Sequence, residues 1–191
     1  LQKAVTERFA QIDTAMSGYR ADSTIEQFNA RLNTDPQTVG SEIVSLVEQA
    51  RAVHHASSGC YDITIKPMFD LWGFRNDDFT PPDDDALRLT QARIGMDKLI
   101  AVSDTQLRKT VPALQVDLAS IGQGYSVGQI AAVLESFGVQ DYLVEIGGEL
   151  QARGHKPGQQ PWRVAVEKPI VGERKVEKII TIERGTPLAV M

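Results

Sequence analysis

Two short segments of this chain carry side chains that could hold a flat, charged ligand. The first is Ser58-Gly59-Cys60-Tyr61-Asp62-Ile63-Thr64, followed by Pro67 and by Phe69-Asp70-Leu71-Trp72-Gly73-Phe74. A helix end, an acid entering an extended segment and a run of aromatic rings suit a heteroaromatic group held by stacking and a hydrogen bond. The same residues have structural uses too, Trp72 and Phe74 as core plugs and Asp62 as a turn cap. The second segment is Val116-Asp117-Leu118-Ala119-Ser120-Ile121-Gly122-Gln123-Gly124-Tyr125, where an extended run meets glycines and then a helix. Free N–H groups at a helix start, with glycines that let the backbone approach, suit a phosphate. The glycines serve equally as plain turn residues. Gly122, Gly124 and Gly128 read GxGxxxG, one residue longer than the dinucleotide fingerprint, although Glu145 lies about twenty residues on.

Three further features are less specific. Glu145-Ile146-Gly147-Gly148-Glu149 opens a strand into a double glycine that either turns the chain or leaves amides for an anion. His54, His55 and His155 show no zinc-ligand spacing; His54-His55, closing an amphipathic helix, reads as one solvated and one half-buried imidazole. Tyr19-Arg20-Ala21-Asp22-Ser23 is a polar turn with one aromatic ring, a surface loop on its own terms. The sequence contains no GxSxG, Walker loop or HExxH.

Helices and strands must position these segments. Val5, Phe9, Ile12 and Met16 continue the spacing begun by Leu1, an apolar stripe on a helix that stops at Ser17-Gly18. Ile43, Leu46, Val47, Ala50 and Val53 repeat the pattern behind Ser41, the expected N-cap, to an end near Ser58-Gly59. Residues 61–65, rich in β-branched side chains and halted by Pro67, read as a strand. Residues 76–85 read as a surface loop, whose aspartates suit the first turn of a short helix running to Arg93. Residues 99–103 and 106–111 flank Asp104-Thr105 as a hairpin, and 115–118 read as a strand. Val127, Ile130, Ala131, Leu134 and Phe137 form a helical stripe closed by Gly138. Residues 142–146, 162–167 and 178–183 are three more strands, so the fold class is α+β, with mixed or antiparallel sheets and packed helices.

The 191 residues are enough for one sizeable core, and 42% hydrophobic with 24% charged residues marks a globular chain rather than a disordered one. No stretch reaches the roughly 18 uninterrupted apolar residues of a membrane helix. The net charge of −5 with scattered Lys and Arg argues against a nucleic-acid partner. Cys60 stands alone, so no internal disulfide forms, and the redox compartment is left open. The chain opens without Met or a signal sequence and ends in the apolar run Leu188-Ala189-Val190-Met191, which reads as a strand cut short and the chain as a fragment.

Taken in order, these segments resemble the FAD:protein FMN transferases of the ApbE family, and the resemblance runs end to end. It is carried by Met16-Ser17-Gly18-Tyr19-Arg20-Ala21-Asp22-Ser23 with Phe28-Asn29, by Gly59-Cys60-Tyr61-Asp62-Ile63-Thr64 with Leu71-Trp72-Gly73-Phe74, and by the Val116–Tyr125 segment. Tyr142-Leu143-Val144-Glu145-Ile146-Gly147-Gly148 and Pro161-Trp162-Arg163-Val164-Ala165-Val166-Glu167-Lys168-Pro169 complete it.

The resemblance implies an α+β flavin-transferase fold over residues 1–191, a single domain lacking N- and C-terminal parts of the family domain. It implies Mg²⁺-assisted transfer of FMN from FAD onto a Ser or Thr hydroxyl of an acceptor protein, with release of AMP. By position, Tyr19 corresponds to an aromatic that stacks on FAD, Cys60, Tyr61 and Asp62 to a stretch lining it, and Asp117 to an aspartate contacting it. Gln123 falls at a FAD-contacting position usually held by Glu or Lys, a lost charge expected to weaken or reorient FAD. Ser120 matches a residue that gives its backbone carbonyl to the metal; the family's acidic metal ligands fall in segments beyond Met191. No residue here matches a catalytic base. The implied acceptor is a flavoprotein subunit of a redox complex, and the implied place is the periplasmic face of the inner membrane, through a lipid anchor that this sequence does not contain. The alternatives are an FAD-binding carrier module, an FAD pyrophosphatase that uses water in place of the protein hydroxyl and, last, a nicotinamide dehydrogenase.

Overall fold

The computed structural model describes residues 1–74 and 79–182, together with the backbone of Leu188–Ala189. The chain divides into two compact units, residues 12–121 and residues 1–11 with 122–191, with both divisions falling inside helices.

In the unit of residues 12–121, the end of α1 (Gln2–Met16) buries Ile12 and Met16 as its stripe requires. A polar turn then leads into α2 (Thr24–Ala30), capped by the Ser23 hydroxyl, which accepts from the Glu26 N–H. After β1 (Gln37–Thr38), α3 (Ser41–Ala56) buries Ile43, Val44, Leu46, Val47 and Ala50. Its N-cap is Gly40 and not Ser41, which lies inside the first turn. Gly40 has φ +90°, a backbone that glycine adopts without strain. Arg51 ties α3 to the chain ahead of it, donating to the carbonyls of Met96 (2.8 Å) and Leu99 (2.6 Å). Next come α4 (Lys66–Leu71) and α5 (Asp84–Gln91), the latter capped by Asp83, whose carboxylate accepts from the Ala86 N–H. A short 3-10 turn at Met96–Lys98 leads into β2 (Leu99–Ala101) and β3 (Gln106–Lys109). The predicted hairpin is present, and β1 adds to its far side to give the antiparallel order β1-β3-β2.

Two expected strands are absent. Residues 115–118 are in no sheet, because an asparagine side chain takes the place of a neighbouring strand. The buried Asn29 donates from Nδ2 to the Val116 carbonyl (2.9 Å) and accepts the Val116 N–H at Oδ1 (2.8 Å). Residues 61–65 form a turn instead of a strand, since Asp62 Oδ1 accepts from the Thr64 N–H (2.7 Å) and Thr64 Oγ1 (2.5 Å). Pro67 does not end a strand; it lies in the first turn of α4, where its missing N–H costs nothing.

The unit of residues 1–11 and 122–191 is built on α6 (Ala119–Ser136) and β4 (Tyr142–Ile146). Val127, Ile130, Ala131, Tyr142 and Val144 form its core, with Val5 and Leu134 packed against them. Phe9, Phe137 and Leu1 stay exposed, so the sequence stripes overstate the buried faces. Gly138, at φ +78°, closes α6 as expected, its N–H donating to the Glu135 carbonyl. β5 (Glu149–Arg153), hidden in the sequence by its polar residues, pairs antiparallel with β4 and with β8 (Leu188–Ala189). β6 (Trp162–Glu167) and β7 (Val176–Ile182) make a separate antiparallel ribbon. Every strand pair among the described residues is antiparallel. The expected loop at 76–85 lies partly outside the described residues, as does Glu183 of the last expected strand.

Candidate functional site

At the end of α3, Ser58 (φ +54°) and Gly59 (φ +87°) turn the chain through two left-handed conformations, and the Gly59 N–H returns to the His54 carbonyl (2.8 Å). Cys60 comes next and is exposed. Tyr61 is fixed at three atoms. Its N–H donates to Ser57 Oγ (3.0 Å), its carbonyl accepts from His54 Nδ1 (2.7 Å), and its hydroxyl pairs with Ser120 Oγ (2.9 Å). A carbonyl has no proton to give, so His54 carries one on Nδ1. Asp62 caps its own turn through Thr64, whose buried hydroxyl also accepts from the Gly95 N–H (2.7 Å).

The second segment joins the first directly. The Asp117 N–H donates to the Ile63 carbonyl (2.7 Å), and Asp117 Oδ1 accepts from the Ala119 N–H (2.7 Å), an Asx turn leading into α6. Cys60, Tyr61, Asp62, Asp117 and Ser120 thus lie on one ledge, formed where residues 57–64 meet 114–120. The glycines do not open the helix. α6 begins at Ala119, so Gly122 and Gly124 are inside it, and the orphan first-turn amides belong to residues ahead of them. A Cβ at either glycine would meet nothing within 4 Å.

Tyr19 stands on a separate turn. Its ring is 97% exposed, while the turn beneath it is well tied. Ser23 Oγ donates to the Ser17 carbonyl (2.7 Å), and Arg20 bridges Asp13 (2.7 Å) and both carboxylate oxygens of Asp22 (2.8 and 3.0 Å). The Arg20 hydrogen bond holds the Asp22 carboxyl below the usual carboxylate range. In the other unit, the exposed Gln123 lies over the turn between β4 and β5. A Cβ on Gly147 would fall 2.6 Å from the movable end of Gln123, and it is the φ of +62° that favours glycine there. Gly148 gives its N–H to Glu145 Oε1 (2.8 Å), so this double glycine turns the chain.

The aromatic run is not a core plug. Trp72, Phe74 and Phe79 are exposed, and Phe69, Phe74 and Phe79 stack edge to face at 5.7 and 5.3 Å. The histidines divide as read, His55 exposed and His54 half-buried. Sequence reasoning did not find the role of His54 in fixing Tyr61; its position one turn from the end of α3 was the available signal. It also missed a buried polar cluster behind the ledge. Lys109 Nζ donates to the carbonyls of Asn29 (3.1 Å) and Arg31 (2.9 Å) and lies 4.8 Å from the Phe28 ring centroid. Burial pulls its pKa down to about 8. The nearly buried Lys66 pairs with Glu26 at 3.5 Å. Among the described residues, no three His, Cys, Asp or Glu side chains are grouped to hold a metal ion.

The structure is that of an α+β protein in which two motif segments are hydrogen-bonded together. The chain belongs to the ApbE family, whose model matches residues 1–190. It is 35% identical to an FAD:protein FMN transferase of Vibrio cholerae, over 94% of this chain and 54% of that protein. A protein of the same name from Haemophilus influenzae is also 35% identical, over 88% of this chain and 51% of its own length. The fold superposes on the flavin transferase ApbE from Vibrio cholerae with a TM-score of 0.85 and 34% identity, covering 93% of this chain and 58% of that one. The apo form of Pseudomonas stutzeri flavinyl transferase ApbE gives the same score and identity over 95% and 57%. This chain spans about half the length of the relatives it matches.

Proposed function

We propose that the protein containing this chain transfers FMN from FAD to a Ser or Thr hydroxyl of an acceptor protein and releases AMP. The reading is supported by the family membership and, most directly, by the ledge, on which stretches 59 residues apart are hydrogen-bonded together. In this reading FAD lies on Cys60, Tyr61, Asp62 and Asp117, with Tyr19 stacking on a ring face. These residues fit an extended ligand with two aromatic ends, since Tyr19 and Cys60 are exposed and the Asp62 and Asp117 turns are fixed by their own capping bonds.

In the reaction, the acceptor oxygen attacks the phosphorus on the riboflavin side of the pyrophosphate. The bond from that phosphorus to the bridging oxygen breaks, AMP leaves, and the hydroxyl proton passes to solvent or to a base outside these residues. Ser120 would offer its carbonyl oxygen to Mg²⁺, and a hard dication held there would supply charge neutralisation at the phosphate oxygens. The acceptor in this proposal is a subunit of a redox complex, and the working place is the periplasmic face of the inner membrane. The test incubates the intact natural protein with FAD, Mg²⁺ and a Ser/Thr acceptor peptide. Equal amounts of AMP and FMN-bearing peptide are expected. Free FMN without modified peptide would replace the transferase with a pyrophosphatase, and no turnover with FAD retained would leave a carrier.

A further inference from the structure

We propose that the Tyr61 and Ser120 hydroxyls form a positioning latch that fixes the flavin-facing loop to the first turn of α6, and that FAD binding depends on this pair as a unit. The inference rests on the FAD-ledge reading above and goes further, giving a role to the Tyr61 hydroxyl and to the Ser120 side chain, as distinct from its carbonyl. Tyr61 is half-buried and its backbone is already held on both sides by Ser57 and His54. Only the ring has freedom left, and its hydroxyl ends that freedom by pairing with Ser120 Oγ at 2.9 Å. The contact links residues 57–64 to α6 beside the Asp117-to-Ile63 bond, which holds backbone and not the ring. The pair is at the surface, so water replaces either hydroxyl easily and the fold loses little without it. A ligand lying on the ring loses more, because it must then order a ring that the latch had already placed.

The test is a double-mutant cycle on the intact natural protein, reading the Kd for FAD by quenching of flavin fluorescence and the melting temperature without ligand. Tyr61→Phe and Ser120→Ala should each weaken FAD binding roughly three- to tenfold, the scale of one hydrogen bond. The double variant should be no weaker than the weaker single one, Ser120→Thr should restore binding, and the ligand-free melting temperatures should stay together. Unchanged affinity in both single variants overturns the latch, as do additive losses. Parallel Tyr19→Ala and Asp117→Ala variants separate the two claims. If they weaken FAD binding while the latch variants do not, the latch alone fails; if none of the four does, the FAD ledge fails with it.

Discussion

Two polar clusters in the unit of residues 12–121 use similar side chains to opposite ends. Behind the ledge, Asn29, Lys109 and Lys66 are almost wholly buried, and their hydrogen bonds go to carbonyls, to the Val116 N–H and to Glu26. On the ledge, Tyr61, Asp117 and Ser120 are half-buried or exposed, and each is held through one side while the other faces water. Burial decides the outcome. A polar group sealed from water must find its partner within the protein, whereas one at the surface keeps capacity for a ligand.

The sharpest way to break this contrast is Asn29→Ala. It strands the Val116 N–H and carbonyl in the interior and should cost about 3 kcal/mol, two unmet buried groups, read by urea unfolding at pH 7. A cost near zero would mean that the strand-like role of Asn29 is dispensable. Next comes Tyr19→Ala, which should weaken FAD binding by about 1–3 kcal/mol through lost stacking and leave urea stability untouched, since the ring is exposed. The opposite pattern would move Tyr19 into the structural cluster.

Lys109 makes a pH prediction with a definite sign. Its folded pKa of about 8 lies below its unfolded value of 10.5, so between those values the unfolded chain binds more protons. Stability should therefore rise from pH 8 towards pH 10, a rise that Lys109→Met abolishes. Tyr142 works against it from pH 10 upwards. Burial and the Glu135 carboxylate push its pKa up to about 12, so the folded state is the better proton binder there. Unfolding midpoints at pH 7.5, 8.5 and 9.5 isolate Lys109.

Asp117→Ala should cost about 1 kcal/mol of stability through the lost turn bond to the Ala119 N–H and, on the proposed FAD reading, weaken FAD as well. A large loss of stability with FAD affinity intact would make it purely structural. The smallest effect is expected from Gln123→Glu, an exposed change of roughly 0.5 kcal/mol or less in stability. If it tightens FAD binding, the missing charge matters; if affinity is unchanged, the amide serves as well.

Much of this was legible in the sequence because it is written as periodicity. The stripes of α3 and α6, the Asp104-Thr105 hairpin and the strands β4 and β6 are all signalled by neighbouring residues. What the sequence hid depends on distant atoms. Residues 115–118 carry a strand pattern, yet an asparagine from α2 answers their backbone, and no local rule announces that substitution. Asp62 was readable both as a turn cap and as a ligand contact, and the cap is directly visible. The ledge needed both motif segments together, and only the fold provides the bonds from Tyr61 to Ser120 and from Asp117 to Ile63.

Cys60 gives this arrangement an experimental handle. It is the sole cysteine in the sequence, it is exposed, and it adjoins Tyr61. Within these 191 residues a maleimide dye therefore has one place to attach, beside Tyr61. The rate of that labelling becomes a footprint, slowed by whatever molecule covers the ledge, so candidate nucleotides can be ranked by the protection each confers before any turnover assay exists.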